Sequence, residues 1–243
     1  MSHPSHHADP HAASAPTGAT FVLVLVHGAW AGAWAWAGVA ARLRARGHRV
    51  HVPTLSGLGE RSHLPGHVID LDTHIDDVVN EILWNDLDGI VLVGHSYSGF
   101  VVTGVAERIA SRIASIVYLE AFIPEDGQSF ADLATWMDPS VPMTPVPPSS
   151  PGDYLRESDR TWVDAKATPQ PTGSFTQKLR VGGAYRDLPK KAFVLATGWD
   201  GPFAQALQNA RSTPGWSAYE IDCGHDVPVD KPDELVAILE ACA

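Results

Sequence analysis

The amino-acid sequence predicts an α/β fold built on a doubly wound, mostly parallel sheet. Several short apolar runs have the length and β-branched content of strands buried on both faces, at residues 21–26, 90–93 and 113–119. Amphipathic helical patterns separate these runs, and the clearest spans residues 72–87. Because strands that alternate with helices pair in parallel, we expect one such sheet with helices on both of its faces.

The predicted elements follow one another in the order that this fold requires. After the first strand comes a helix at 34–46, which Gly47 ends because glycine is favoured just beyond a helix. After the strand at 113–119, prolines become dense and scattered aromatic residues replace the periodic apolar pattern. We interpret residues 125–190 as an inserted lid, which would supply apolar walls and exclude water. The remaining elements are strands at 49–55, 191–197 and 216–221 and a closing helix at 232–239.

Composition limits the organisation and the partners of the chain. With 243 residues, 44% of them hydrophobic, it can form one sizeable domain, expected at 21–243 after a disordered tail at 1–20. The formal net charge of −11 argues against nucleic acid or an anionic membrane as a partner. No apolar run approaches the roughly 20 residues of a membrane span. The first residues lack the apolar centre of a secretion signal, so we expect a cytoplasmic protein. We also expect a monomer or a homodimer.

The sequence predicts neither a metal nor a cofactor. The two cysteines, Cys223 and Cys242, form neither a disulfide framework nor a zinc-binding spacing. The glycine pattern at 56–59 lacks the G-x-G-x-x-G spacing between a strand and a helix that a dinucleotide requires. We therefore expect chemistry that side chains and backbone groups carry out alone.

A candidate nucleophile lies directly after the apolar run at 90–93. The sequence Gly94-His95-Ser96-Tyr97-Ser98 joins this strand to a helical pattern, which is the context of a nucleophile elbow with Ser96 at its apex. It departs from the usual G-x-S-x-G because Ser98 replaces the second glycine and Gly99 follows one place later. Ser98 is an alternative nucleophile, but its position inside the first helical turn favours Ser96.

Two backbone N–H groups are candidates for an oxyanion hole, which stabilises the negative charge that develops during acyl transfer. The first belongs to Tyr97, the residue after Ser96, at the start of a helix. The second belongs to Ala29, in a His27-Gly28 loop after the first buried strand. Glycine in such a loop lets the backbone approach a ligand closely.

A serine hydroxyl needs a general base, usually a histidine that a carboxylate orients. His225 follows the last predicted strand in a glycine-containing loop, and histidine comes last in chain order in this arrangement. Two acids end neighbouring strands and remain alternatives: Glu120 after the strand at 113–119, and Asp200 after the strand at 191–197. Both would lie at the edge of the sheet that carries Ser96.

These motifs resemble the α/β-hydrolase superfamily. Within it, VLVHGAWAGAWAW, VGHSYSGFVV, VYLEAFIPEDG and GHDVPVDKPDEL are similar to the group of plant methyl esterases, hydroxynitrile lyases and small bacterial carboxylesterases. The resemblance implies a sheet of the α/β-hydrolase type with an inserted lid. Plant methyl esterases carry their acid after the strand that follows the lid, which points to Asp200. Some haloalkane dehalogenases carry a glutamate in a sequence similar to YLEAFIP, which points to Glu120, the acid that we prefer.

The resemblance implies hydrolysis of a small-molecule carboxylic ester by Ser96 through an acyl-enzyme. The residues do not match hydroxynitrile lyases, since Gly28 stands where those enzymes have threonine and Asp226 where they have lysine. A carbamate or amide hydrolase with the same triad is one alternative, and a non-enzymatic binder of small molecules is another. Five large apolar residues predict that the ligand is apolar or aromatic: Trp30, Phe100, Trp136, Met137 and Trp162.

Overall fold

A computed structural model describes residues 19–243, and the predicted tail lies almost entirely outside the described residues. Six strands form one parallel sheet in the order β2-β1-β3-β4-β7-β8, and β5 and β6 form a separate antiparallel pair. The predicted parallel sheet is therefore confirmed. The strands are β1 (Val22–Val26), β2 (Arg49–His51), β3 (Ile90–His95), β4 (Ile113–Leu119), β5 (Met143–Thr144), β6 (Gln170–Pro171), β7 (Lys190–Ala196) and β8 (Trp216–Ile221).

Helices cover both faces of the sheet, as the alternating pattern predicts. One buried cluster joins the sheet to α1 and α9, and another joins it to α2, α3 and α7. The helices are α1 (Ala37–Ala45), α2 (Leu71–Trp84), α3 (Ser98–Ile109), α4 (Phe130–Leu133), α5 (Glu157–Asp164), α6 (Thr172–Thr176), α7 (Ala204–Ser212), α8 (Val227–Asp230) and α9 (Pro232–Ala241). No helix among residues 19–243 is long and apolar enough to cross a membrane.

The predicted strand at 49–55 is wrong in its second half, because β2 ends at His51. Pro53 has no N–H to donate to a ladder, so the chain leaves the sheet beside it. The backbone N–H of Leu55 donates instead to Nε2 of His27, at 3.0 Å. The predicted helix at 34–46 also begins differently, since its first turn is a 3₁₀ helix at Ala33–Trp36.

One of the aspartates that cluster near the start of α2 has a structural role in this helix. Asp70 caps the helix, because its carboxylate accepts the backbone N–H of Thr73 at 2.9 Å while the Thr73 side chain bonds back to the Asp70 N–H. A negative charge at this end also suits the helix dipole. Asp70 therefore serves helix formation, whereas Asp72 and Asp76 pair with Arg108 of α3.

The connection from β4 to β7 contains the region predicted as a lid. It holds three short helices and the two-residue ladder of β5 and β6. Two of its aromatic side chains, Phe130 and Phe175, are buried in the same core as α2 and α3. Cys223 and Cys242 are both buried free thiols, so neither forms a disulfide.

Candidate active site

Ser96 lies at the apex of a sharp turn between β3 and α3. Its φ of 54° is in the left-handed region that non-glycine residues rarely occupy, as a strained elbow requires. Two glycines make the turn possible, because at each of them a backbone carbonyl oxygen comes too close to leave room for a side chain. A Cβ at Gly94 would lie 2.7 Å from the Ser98 carbonyl oxygen, and one at Gly99 would lie 1.8 Å from the Phe122 carbonyl oxygen. Gly99, one place later than in the usual motif, is therefore indispensable to the packing of α3.

Ser98, the alternative nucleophile, is fully buried at the start of α3. Its hydroxyl donates a hydrogen bond to the backbone carbonyl of His27. This bond ties the elbow to the loop after β1 and leaves the Ser98 hydroxyl away from solvent. The geometry thus gives Ser98 a structural contact and leaves Ser96 as the partly exposed serine of the pair.

The two predicted oxyanion donors lie beside this elbow. A Cβ at Gly28 would be 3.3 Å from Cβ of Ser96, so the loop that carries Ala29 passes directly over the serine. Among residues 19–243, neither the N–H of Ala29 nor that of Tyr97 has a hydrogen-bond acceptor. Two free N–H groups next to one hydroxyl match the arrangement that stabilises an oxyanion.

Glu120 is fully buried directly after β4, with a positive φ of 45°. Its Oε1 accepts the backbone N–H of Ala196 at 2.6 Å, and its Oε2 accepts the indole N–H of Trp199 at 2.8 Å. The same Oε2 lies 3.3 Å from Nδ1 of His225. A buried carboxylate is costly unless several donors satisfy it, and these three donors do so.

Asp200 differs from Glu120 in each of these respects. It is exposed, and its side chain makes no hydrogen bond or ion pair with any other residue that the structure describes. Its neighbour Trp199 points to the site instead and holds the Glu120 carboxylate. The structure therefore brings Glu120, not Asp200, next to His225. No periodicity or motif in the sequence singles out Trp199 for this contact.

The imidazole of His225 is enclosed by aromatic rings. Trp199 lies 4.9 Å away between ring centroids, and Phe203 lies 5.9 Å away with its plane tilted by only 6°. The ring of His95 is 4.8 Å away, and its Nε2 lies 3.0 Å from the carbonyl oxygen of His225. Burial lowers the pKa of His95 to about 4, so at neutral pH this ring is uncharged and donates to that carbonyl.

Ser96 and His225 line one cavity of about 350 Å³. The hydrogen bonds among residues 19–243 include none between the Ser96 hydroxyl and His225, so the two residues line the same space without a hydrogen bond between them. Most of the wall is apolar, and its acidic members are Asp153, Asp164 and Asp226. Among the residues that the structure describes, neither lysine nor arginine lines it. The aromatic members are Trp30, Trp34, Tyr154 and Trp199, together with the two imidazoles of His95 and His225.

The aromatic wall differs in part from the prediction. Trp30 lines the cavity, whereas Phe100 and Met137 are buried in the hydrophobic core. Trp136 and Trp162 lie one layer further out, since they pack on Trp30 and Trp34 with ring centroids 6.0 and 5.1 Å apart. Trp34 and Tyr154 were missed because no periodic pattern distinguishes them from surface aromatic residues.

A contact from the connection between β4 and β7 fastens the loop that carries His225. The hydroxyl of Tyr154 donates to the carboxylate of Asp226, and the N–H of Leu155 donates to Asp230 at 3.1 Å. A Cβ at Gly224 would lie 2.3 Å from the Asp153 carbonyl oxygen, so the two backbones are in close contact. Burial, together with the Asp226 charge, raises the pKa of Tyr154 well above its usual range and keeps its proton in this bond.

Among the described residues, no group of three or more His, Cys, Asp or Glu side chains is arranged to hold a metal ion. His27 and His74, which carry further imidazoles near the site, are each occupied by contacts inside the fold. His27 uses both ring nitrogens, on the Gly28 carbonyl and the Leu55 N–H, and His74 contacts the hydroxyl of Tyr97 and the carbonyl of Ser56. These bonds leave them no free nitrogen for catalysis.

The chain belongs to the alpha/beta hydrolase family, whose model matches residues 23–238. It is 40% identical over 238 residues to the carbendazim hydrolyzing esterase of Nocardioides sp. (strain SG-4G), covering 90% of this chain and 98% of that relative. It is 34% identical to Methylesterase 7 of Arabidopsis thaliana over 104 residues, 42% of this chain and 40% of the relative. These relatives confirm the resemblance to plant methyl esterases and bacterial esterases.

Solved structures share the fold. An extracellular alpha/beta-hydrolase from a Paenibacillus species superimposes with a TM-score of 0.76 at 23% identity, over 92% of this chain and 99% of that one. The methylesterase MES16 from Arabidopsis gives a TM-score of 0.74 at 23% identity, over 91% and 98% of the two chains. At this level of identity the likeness concerns the fold alone.

Proposed function

We propose that this protein is a serine hydrolase that cleaves the carboxylic ester of a small apolar or aromatic molecule. The observation that carries the proposal is the position of the buried Glu120 carboxylate beside Nδ1 of His225. His225 in turn lines the same cavity as Ser96. The family and its esterase relatives support the same reaction class. Mostly apolar walls support a substrate with little charge.

In this proposal Ser96 attacks the ester carbonyl and His225 accepts the proton of its hydroxyl. Glu120 holds Nδ1–H of His225, which leaves Nε2 as the basic atom and stabilises the imidazolium. The N–H groups of Ala29 and Tyr97 donate to the oxyanion. His225 then passes the proton to the leaving alcohol, and a water molecule activated by His225 cleaves the acyl-enzyme. Contacts between nucleophile and base are often long before a substrate is bound and shorten in the complex.

A carbamate is the second candidate substrate class, and the relative at 40% identity favours it. Carbendazim, which gives that relative its name, is a methyl carbamate of an aromatic bicyclic amine. The same hydroxyl, base and oxyanion donors would attack a carbamate carbonyl. The four aromatic side chains in the cavity wall would pack against such a ring system.

Hydrolysis of p-nitrophenyl acetate by wild type, Ser96→Ala and Ser98→Ala tests the proposal, and carbendazim extends the test to carbamates. We expect turnover by wild type and Ser98→Ala, and loss of at least about 10³-fold in Ser96→Ala. Equal rates in wild type and Ser96→Ala would contradict the proposal. Cytoplasmic location and a monomeric or homodimeric state stay predictions.

A further inference from the structure

A second cavity of about 440 Å³ is lined in part by Phe203, whose ring stacks on His225, and among residues 19–243 it shares no lining residue with the first. It extends along the face of β7 and β8 that α7 covers, up to the segment that follows Glu120. Its wall is mixed in polarity, and the apolar members include Phe122, Phe203, Ala206 and Trp216. The proposed reaction does not use this space, so its chemistry needs a separate explanation.

Two cations contribute to this cavity. Lys191 is only 8% exposed, which is unusual because a lysine is rarely buried without a partner. Its ammonium donates to the carbonyl oxygens of Arg186 and Leu188, at 2.9 and 2.6 Å, and these bonds use two of its three N–H groups. The exposed side chain of Arg186 supplies a second positive charge at the wall.

Neither cation has a carboxylate partner among residues 19–243. The single acidic residue in the described lining, Glu125, is exposed and forms no ion pair with either of them. Carbonyl dipoles solvate the Lys191 ammonium but do not neutralise it. A buried cation without a counter-charge is costly, so this cavity favours an anion that comes from outside the chain.

We propose that this cavity binds a small organic monocarboxylate with an aromatic or aliphatic body. The carboxylate accepts the third N–H of Lys191 and pairs with Arg186, and hydrogen bonds between charged groups are stronger than those between neutral groups. The apolar body packs between Phe203 of the loop before α7 and Trp216 of β8. One neutralising charge, together with the apolar part of the wall, distinguishes this ligand from inorganic phosphate or a polyanion. The proposal does not depend on the reaction at Ser96.

Isothermal titration of the full chain with 3-phenylpropionate, and with its neutral amide, tests this proposal. We expect the carboxylate to bind and the amide to bind at least tenfold more weakly. Lys191→Met, which keeps the aliphatic stem, is expected to weaken carboxylate binding at least tenfold. The matched control is Lys190→Met, which removes an exposed lysine from the same strand and is expected to leave the affinity within twofold.

Ala206→Phe provides a second test that keeps both cations. Ala206 is half-buried on α7, and a phenyl ring there fills the cavity. We expect Ala206→Phe to weaken carboxylate binding at least tenfold as well. This variant therefore tests the proposal even if Lys191→Met fails to fold. Absence of binding to wild type at millimolar concentrations would overturn the proposal. Unchanged affinity in Lys191→Met or Ala206→Phe would also overturn it, because the carboxylate would then bind elsewhere, for example in the first cavity.

Discussion

Nδ1 of His225 lies 3.3 Å from Oε2 of Glu120, a carboxylate with no solvent exposure at the end of β4. Glu120 is held there from both sides, since its N–H donates to the Val194 carbonyl and its Oε1 accepts the Ala196 N–H. A backbone conformation with φ of 45° turns the side chain under the imidazole. The relationship supports the proposal that Glu120, and not a residue after β7, is the acid that orients the base.

We therefore predict that Glu120→Gln lowers kcat by about 10³–10⁴-fold, because the amide stabilises the wrong tautomer of His225 and cannot stabilise an imidazolium. Asp200→Asn is the matched control, and we expect its kcat to stay within about twofold of wild type because Asp200 is exposed and unpaired. Steady-state hydrolysis of one p-nitrophenyl ester by the three proteins checks both values. A large loss in Asp200→Asn with an active Glu120→Gln would reverse the assignment.

Tyr154→Phe is predicted to lower kcat/KM by about tenfold, since the Asp226 carboxylate loses a charge-assisted hydrogen bond and the loop around His225 is held less firmly. Tyr219→Phe removes a hydroxyl from β8, outside the cavity wall, and serves as the control. We expect the melting temperatures of the two variants to be nearly equal, so that Tyr154→Phe and Tyr219→Phe differ from each other in kcat/KM alone. Equal activity of Tyr154→Phe and wild type would show that the bond has no part in positioning.

The charge of the catalytic cavity predicts substrate selectivity. Within residues 19–243, its lining includes Asp153, Asp164 and Asp226 and neither lysine nor arginine, although Arg160 reaches Asp164 at 3.1 Å from outside the wall. We expect kcat/KM for the monomethyl ester of terephthalic acid to be at least about tenfold below that for methyl benzoate. A tenfold ratio corresponds to a difference of about 1.4 kcal/mol in activation free energy.

The two esters differ by one carboxylate, so the comparison isolates charge. Asp153→Asn and a higher ionic strength should both narrow the difference, because screening weakens repulsion between partly exposed charges. Equal rates for the two esters, or a preference for the charged one, would contradict an anionic cavity.

Stability is predicted to fall as the pH decreases from about 6.5 to about 4. Burial lowers the pKa of His27, His74 and His95 to about 4 in each case, whereas unfolding restores the ordinary value of about 6.5. Between these values the unfolded chain binds protons that the folded chain does not, so the free energy of unfolding rises with pH there and levels off above about 6.5.

Urea unfolding at intervals from pH 8 to pH 5 checks this slope above the range in which ordinary carboxyl groups titrate. His74→Gln removes one of the three imidazoles and should reduce the slope by about a third. A free energy of unfolding that is constant between pH 7 and pH 5 would contradict the buried neutral histidines.

The sheet could be predicted from sequence where apolar, β-branched runs have clear ends. The predicted bounds of β4 and β8 coincide with those of the structure, because both strands are followed directly by polar turn residues. The elbow was predictable because it needs glycine where no side chain fits. Gly94 and Gly99 stand at positions where the structure leaves no room for a Cβ. The early end of β2 also had a signal, the proline at position 53.

The positions of Glu120 and Asp200 in the sequence left both open as the acid, because both follow a strand at the same edge of the sheet, and the preference for Glu120 came from the resemblance alone. The outcome depends on the path of residues 197–200, which directs the indole N–H of Trp199 to the Glu120 carboxylate and leaves the Asp200 side chain exposed. The contact of Tyr154 with Asp226 joins positions 72 residues apart in the chain, and no local pattern encodes such a pairing. Tertiary packing alone decides these features.

The most direct test of the account is reaction of the protein with a fluorophosphonate that labels nucleophilic serines, followed by mass spectrometry of its peptides. We predict that one phosphonyl group attaches to Ser96 in wild type and in Ser98→Ala, and that Ser96→Ala stays unlabelled. Glu120→Gln is expected to label far more slowly than Asp200→Asn. Label on Ser98, or no label on wild-type protein, would contradict a Ser96–His225–Glu120 hydrolase, and the second result would point to a binder with an inert serine.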